Sequence, residues 1–252
     1  MRISTSKTTY FSGVAQASVA LSPKKTEDRV PTGIEGLDAL IEGGLLRGDF
    51  VLLLGGMGTG KTIFSSQFVY NSALKGNEPA VFATFEEDIK SLKRNMLNFG
   101  MDLSALEAQK KLKLIDLDVL EGRGLSSNIQ VLLEALDEIK GRRLVVDSLT
   151  AFLAGTGEKF DYTFMMHLIY KTLKREGITT LMTASRQISK VQETGVEEFV
   201  ADGIFQLESY VTDAMEMKTR FLVKKLRGTE HDRKYHSIAF TPNGLSILTF
   251  AG

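Results

Sequence analysis

The sequence predicts an α/β fold in which a mostly parallel sheet is covered by helices on both faces and extended by antiparallel strands toward the C-terminus. Three observations carry that prediction. From Val30 onward, apolar runs of about five residues alternate with segments of helical spacing, the pattern of buried parallel strands joined by crossover helices. A glycine-rich octet joins the first long run to the first long helical segment. After Val200, four apolar segments follow one another with only turns between them, as antiparallel neighbours do.

Phe50–Leu54 is a continuous apolar run and reads as a buried strand. Ile63–Leu74 has helical spacing and stops near Gly76. Ala80–Phe85 is the second strand, followed by a polar helix through Asn98. Lys113–Leu117, Leu144–Val146 and Thr179–Thr183 are further buried strands. Between them lie helices over Ser127–Lys140 and Tyr162–Arg175, the second ended by Gly177. Ile204–Leu207, Glu216–Val223, Tyr235–Phe240 and Leu245–Phe250 are expected to extend the same sheet. No repeat or linker interrupts residues 30–252, so one domain over 29–252 is expected.

Residues 1–28 differ in texture. Ser and Thr dominate, Arg2, Lys7, Lys24 and Lys25 supply charge, and no acid precedes Glu27. So few large apolar residues cannot offset ordering entropy, which points to a disordered tail. A basic, Ser-rich, acid-poor transit peptide is the alternative. Tyr10–Leu21 is too polar for the apolar stretch of a secretory signal.

Composition narrows the function classes. The chain has 252 residues, 43% of them hydrophobic and 25% charged, which is ordinary globular usage. Basic and acidic residues balance at 31 each, so net charge carries no footprint of a nucleic-acid or lipid partner. The absence of cysteine excludes disulfides, a thiol nucleophile and thiolate metal sites. His167, His231 and His236 lack metal-ligand spacing. No apolar run approaches the roughly 18 residues that a membrane span needs.

Gly55-Gly56-Met57-Gly58-Thr59-Gly60-Lys61-Thr62 fits the pattern GxxxxGK[ST], leaving an apolar strand and opening a helix. A match by chance in a chain of this length is on the order of once in a hundred. Gly56, Gly58 and Gly60 let successive backbone N–H groups turn inward around a phosphate, with Thr59 in the same loop. Lys61 brings a point charge to the β- and γ-phosphates, and the Thr62 hydroxyl is a ligand for Mg²⁺. ATP with Mg²⁺ is the expected ligand pair, and a cytoplasmic location follows from that expectation.

Acidic residues should complete such a site. Asp147 ends the strand Leu144-Val145-Val146, where a second acid orients Mg²⁺; Asp147 and Ser148 are also good helix N-caps. Glu86 and Glu87 follow the strand Ala80–Phe85. Acids there can polarise a water for attack on the γ-phosphate, or simply complement the dipole of the next helix. Lys225 and Arg227 alternate near a strand end and so share a face. An edge-strand charge pair that discourages aggregation fits the same pattern.

Over nearly all of residues 30–252 the chain resembles the KaiC-like branch of the RecA superfamily. The likeness is carried by Thr32-Gly33-Ile34-Glu35-Gly36-Leu37-Asp38 with Gly43-Gly44, by Phe82–Glu87, and by Val145-Val146-Asp147-Ser148. Gly195-Val196-Glu197-Glu198-Phe199-Val200-Ala201-Asp202 and Lys225-Leu226-Arg227-Gly228-Thr229-Glu230-His231 are the most specific of these segments. The resemblance implies a RecA-like core that assembles into rings, usually hexamers, with ATP at the subunit interface. It implies that Glu86 and Glu87 are the catalytic pair and that Asp147 orients Mg²⁺. Lys225 and Arg227 are then cations that reach the neighbouring subunit's γ-phosphate, with Leu226, Thr229 and His231 in the same interfacial contact. Asn98 and Thr241 fall where family members touch ribose or base.

The chain also departs from the two-domain clock members of that family. It carries one such domain, and it has Glu198 and Phe199 where their autokinase half has Ser and Thr, so self-phosphorylation there is not expected. Ala184-Ser185 replaces a Thr-Glu pair, and Pro242 replaces an acid. The expected role is a slow, ring-forming ATPase that regulates or signals through a protein partner. The alternative is a RadA-type recombinase relative acting on DNA. It is disfavoured because the candidate loop Arg186–Glu198 sets Arg186 and Lys190 against Glu193, Glu197 and Glu198.

Overall fold

Side-chain alternation along the central strands decides the architecture. The computed structural model describes residues 28–117, 125–149, 151, 162–185 and 200–249. Within it, the strand Phe50–Gly55 turns Val51 and Leu53 to one face of the sheet and Phe50 and Leu52 to the other, all four buried. A sheet that is apolar on both faces must be covered on both.

The described elements, in chain order, are β1 (Arg29–Val30), α1 (Leu37–Leu40), β2 (Leu45–Leu46), β3 (Phe50–Gly55), α2 (Lys61–Lys75), β4 (Ala80–Thr84), α3 (Ile89–Leu97), α4 (Leu103–Ala108), β5 (Leu112–Asp116), α5 (Leu125–Ile139), β6 (Arg143–Asp147), α6 (Tyr162–Arg175), β7 (Thr179–Ala184), β8 (Gly203–Val211), β9 (Met217–Leu226), β10 (His236–Thr241) and β11 (Gly244–Leu248). β1 and β2 form a small antiparallel ribbon. The rest form one sheet in the order β11-β10-β9-β8-β3-β7-β6-β4-β5. From β8 to β5 all neighbours are parallel, and β9, β10 and β11 continue the sheet antiparallel.

Phe64 and Phe68 of α2, Leu92 and Met96 of α3, and Leu103 and Leu106 of α4 cover one face. Ile129, Leu132 and Leu136 of α5 with Met166, Ile169 and Leu173 of α6 cover the other. Several expectations from the sequence were incomplete: β1, α1 and β2 were not anticipated, and β9 runs to Leu226 rather than Val223. The strand expected at Ile204–Leu207 runs on to Val211, because its outer residues pair with β9 while staying half-exposed, which an apolar-run criterion misses. Helix α4 was not anticipated: it buries only Leu103 and Leu106 and starts on an Asp102 side chain that accepts the Ala105 N–H at 3.0 Å. Residues 1–27 of the tail expected over 1–28, and the loop Arg186–Glu198, lie outside the described residues, whereas Asp28 is held by Arg47, its side chain at 2.6 Å and its carbonyl at 3.0 Å.

Two features of this fold position a site. β3, β4, β6 and β7 end on one edge, with Leu54 beside Ala184 and Thr84 beside Asp147. Crevices outside the carboxyl ends of parallel strands are where such sheets bind ligands. The β10–β11 hairpin is drawn to the same region by Gln67 of α2. The Gln67 side chain accepts the Leu245 N–H at 2.8 Å and donates to the Leu245 carbonyl at 3.0 Å. Gly244 permits that approach, having φ +107° and no room for a Cβ, which would stand 2.3 Å from the Gln67 amide oxygen.

Candidate active site

The loop between β3 and α2 is shaped by its glycines. Gly58 and Gly60 have φ of +73° and +91°, a region that side chains with a Cβ rarely adopt. Gly60 is the N-cap of α2, so the loop delivers the helix's unpaired N–H groups and the positive end of its dipole to one concavity. A Cβ on Gly58 would meet nothing within 4 Å, so the loop mouth is open there. Thr59 ties the loop by donating its hydroxyl to the Gly56 carbonyl at 2.9 Å. Lys61 folds back and donates to the carbonyls of Gly55 and Gly56, each at 3.0 Å. Its ammonium therefore lies at the loop, held by neutral acceptors that an anion can outcompete.

Two strand ends, those of β4 and β6, bring acids to this loop, and β7 adds a hydroxyl. Thr62 donates its hydroxyl to one carboxylate oxygen of Asp147 at 2.8 Å, and Thr183 of β7 donates to the other at 2.5 Å. The insertion of β7 between β3 and β6 makes the second contact available. Burial pushes the Asp147 carboxyl above its usual range and Glu86 adds to this, while the hydroxyls of Thr183 and Thr62 and the charge of Lys61 oppose it. A hydroxyl and a carboxylate form the all-oxygen donor set of a hard divalent cation. No group of three or more His, Cys, Asp or Glu able to hold a metal occurs among the described residues. A cation here would have to complete its shell with substrate oxygens and water, as Mg²⁺ does in phosphoryl-transfer sites.

Glu86 and Glu87 sit on a turn organised by Thr84, whose hydroxyl accepts both their N–H groups at 3.2 Å. Glu86 accepts the Ser148 hydroxyl at 2.5 Å, and Glu87 accepts the Asn95 amide at 2.5 Å. Burial raises the Glu87 carboxyl above its ordinary value, against the Asn95 hydrogen bond. Asp88 caps α3 by accepting the N–H groups of Lys90 and Ser91. The helix-start role is therefore filled by Asp88, leaving the two glutamates directed at the crevice's hydroxyl and amide groups. Thr183, Thr84 and Asn95 were missed from the sequence, and Ser148 was named there only as a helix cap and as part of a family segment; it accepts the Ala151 N–H at 3.4 Å as well as donating to Glu86. Their common signal was position, at or near a strand end or, for Asn95, about two helical turns beyond an acid.

The remaining candidates divide into two places. Asn98 is the C-cap of α3 and Thr241 ends β10, where its hydroxyl donates to the Gly244 carbonyl at 3.2 Å. A Cβ on Gly100 would lie 3.2 Å from the Pro242 carbonyl oxygen, so the end of α3 and the β10–β11 turn adjoin. The ring of Phe240 lies against Gly60, joining that turn to the phosphate loop.

Lys225, Leu226, Arg227, Thr229 and His231 are gathered elsewhere. Leu226 is opposite Gly203, which is opposite Val51 at the start of β3. Lys225 donates to the Ala201 carbonyl at 2.7 Å and Arg227 to the Val200 carbonyl at 3.5 Å. The Thr229 hydroxyl accepts from Arg29 at 3.1 Å, and the His231 Nδ1 lies 3.1 Å from the Thr229 carbonyl oxygen. All of these residues stand at the amino end of β3, across the sheet from the loop at its carboxyl end.

Comparisons with known proteins agree with this geometry. The family model described as the KaiC ATPase matches residues 30–251. The circadian clock oscillator protein KaiC of Prochlorococcus marinus (strain MED4) is 34% identical over 246 residues, which is 92% of this chain and 47% of that protein. Its counterpart in Synechococcus elongatus is 33% identical over 229 residues, covering 87% of this chain and 44% of that protein. The chain thus spans about half the length of the clock proteins it matches. The crystal structure of a KaiC-like protein from the hyperthermophilic archaeon Pyrococcus horikoshii OT3 superposes with a TM-score of 0.80 at 33% identity, covering 88% of this chain and all of that one. The family model spans nearly the whole chain and the RecA-like sheet superposes on that of a solved relative: this chain belongs to the KaiC family of ATPases.

Proposed function

We propose that residues 29–252 form one ATPase domain that assembles into a ring, expected to be hexameric, and hydrolyses Mg-ATP at the interfaces between subunits. The observation that supports this is the separation of the two halves of the site. Lys61, Thr62, Glu86, Glu87 and Asp147 lie around the carboxyl ends of the strands, whereas Lys225 and Arg227 lie at the amino end of β3. One chain's cations are thus badly placed to serve its own phosphate loop, and a neighbour's are needed to complete it.

In that arrangement the backbone N–H groups from Gly56 to Thr62 bind the β-phosphate of ATP. Lys61 exchanges the Gly55 and Gly56 carbonyls for β- and γ-phosphate oxygens. Thr62 and Asp147 would hold Mg²⁺, which neutralises charge on those oxygens. Glu86 and Glu87 hold the attacking water and accept its proton as its oxygen bonds to the γ-phosphorus and the bond to ADP breaks. Lys225 and Arg227 of the adjacent subunit stabilise charge on the transferring group, with Leu226, Thr229 and His231 shaping that contact. Asn98 and Thr241 lie on the path toward ribose and base.

Turnover is expected to be slow, and autokinase activity is not expected because Glu198 and Phe199 carry no hydroxyl. Balanced charge favours a protein partner, and hence a regulatory or signalling role, over DNA. No helix among the described residues is long and apolar enough to cross a membrane. A cytoplasmic location fits a consumer of ATP.

The test is ATPase activity per subunit as a function of protein concentration. Interfacial sites require activity per subunit to rise with concentration in step with ring formation measured by light scattering. Activity per subunit that stays constant down to concentrations where only monomers remain would overturn the proposal.

A further inference from the structure

Three main-chain oxygens in a row hold Lys225 and Arg227, two through their cationic side chains and one through the Arg227 backbone. Arg227 reaches the Val200 carbonyl, Lys225 the Ala201 carbonyl, and the Arg227 N–H donates to the Asp202 carbonyl at 2.9 Å. Whatever fixes Val200–Asp202 therefore fixes where Lys225 and Arg227 begin. The Asp202 side chain is the anchor. Its carboxylate is buried, 7% exposed, and accepts the Phe50 N–H at 3.1 Å, the Lys174 ammonium at 2.7 Å and the Tyr170 hydroxyl at 3.2 Å. The Arg227 guanidinium itself stands 3.9 Å from one of its oxygens. Lys174 is also 3.5 Å from the buried Asp49 carboxylate.

We propose that Asp202 is a positioning residue for the trans-acting cations: held by Tyr170 and Lys174 of α6 and by the first N–H of β3, it sets the Val200–Asp202 carbonyls on which Lys225 and Arg227 rest. This inference rests on the trans-acting role given above to Lys225 and Arg227.

Two physical points support it. A buried carboxylate survives only where it is fully hydrogen-bonded or paired, and Asp202 has both kinds of partner, so its geometry is narrowly defined. Burial acts against the Lys174 ammonium, yet its hydrogen bond to Asp202 and the charges of Asp202 and Asp49 hold its pKa above the ordinary value. The anchor also ties two functions of one subunit together. Asp202 receives Phe50, the first residue of the strand that ends in the phosphate loop, and it carries the cations offered to the neighbour. A shift in one has a short covalent and hydrogen-bonded route to the other.

The experiment uses Asp202→Asn, which keeps the side-chain shape and removes the charge. In homogeneous rings kcat is expected to fall about tenfold or more with KM for ATP little changed, because cation placement matters in the transition state more than in ground-state binding. Unchanged kcat would overturn the proposal. The second readout is complementation in mixed rings, with subunit exchange verified by native mass spectrometry. Asp202→Asn mixed with Lys61→Ala should regain activity, since one variant keeps a good phosphate loop and the other keeps good cations. Asp202→Asn mixed with Arg227→Ala should not, since both then fail in the cations.

Arg227→Ala mixed with Lys61→Ala separates the two claims. If that pair regains activity and the Asp202→Asn pair with Lys61→Ala does not, Asp202 acts on its own subunit's site and the inference is wrong while the trans-acting role stands. If neither pair recovers, the trans-acting role fails and takes this inference with it. Should Asp202→Asn not fold, Tyr170→Phe removes only a hydroxyl and keeps the edge-on ring contact with Phe50, at 5.9 Å between centroids. It should lower kcat roughly two- to fivefold with the same complementation pattern. Wild-type kcat in Tyr170→Phe would count against the anchor equally.

Discussion

Arg227 lies at the opposite end of the sheet from Lys61. Leu226 pairs with Gly203 and Gly203 with Val51, whereas Lys61 follows a loop that leaves β3 after Gly55. The four steps from Val51 to Gly55 alone span ~13 Å of extended strand. A hydrogen bond from Arg227 to a phosphate on its own loop would need the side chain to cross the length of the strand. Under the proposed interfacial mechanism, one chain would thus supply the phosphate loop of one site and the cations of the next.

Replacing both glutamates, as Glu86→Gln with Glu87→Gln, should leave ATP binding near wild type and slow hydrolysis by ~10²–10⁴-fold, the usual contribution of a general base. Wild-type hydrolysis should also fall as pH drops through the Glu87 value, which burial holds above that of an ordinary glutamate, because only the carboxylate accepts a proton. Single-turnover hydrolysis measured against pH checks both points. Retained turnover in the double variant would move the base elsewhere.

Thr183→Val removes the hydroxyl that Asp147 accepts at 2.5 Å and leaves the strand packed. Losing a hydrogen bond behind a metal-ligating carboxylate typically costs 10–100-fold in metal affinity or activity. The Mg²⁺ concentration that half-saturates ATPase activity should therefore rise by about tenfold, with the thermal melt little altered. An unchanged Mg²⁺ requirement would show that Asp147 does not depend on Thr183.

Asp49 offers a pH test of the buried network at the amino end of β3. Burial raises its carboxyl to about 6, above the ordinary 3.8, while Lys174 opposes the shift. The folded protein thus binds this proton more tightly than the unfolded chain does. The group's contribution to stability is therefore greatest below its unfolded pKa, declines as pH rises from about 4 to 6, and is flat above. Melting temperatures of wild type minus those of Asp49→Asn should fall across that window by roughly 3–8 °C. A difference that rises with pH or stays constant would contradict the assignment.

The sequence exposed the parts of this molecule that are written in local patterns. Phe50–Leu54, Leu144–Val146 and Thr179–Thr183 are buried on both faces, so continuous apolar runs revealed them, and Gly55–Thr62 is a contiguous motif whose chemistry needs its spacing. Partners brought together by topology were not legible. Thr183 reaches Asp147 only because β7 is inserted beside β6, and Arg29 reaches Thr229 from 200 residues away. Asp202 was visible as the end of a family segment, but its bonds to Tyr170, Lys174 and Phe50 depend on where α6 and β3 start. The separation of Lys225 and Arg227 from Lys61 follows from strand direction, which periodicity does not encode.

Mixed rings of Arg227→Ala and Lys61→Ala test the interfacial site most directly. Alone, Lys61→Ala should lose nearly all ATP binding, having lost the cradle charge, and Arg227→Ala should keep its phosphate loop yet lose ~10³-fold in rate. Combined, with exchange verified by native mass spectrometry, they form interfaces that join an intact loop to an intact Arg227, and activity should return well above the sum of the two separate variants. If mixed rings form and activity remains at that sum, Lys225 and Arg227 do not act on the neighbouring subunit's nucleotide.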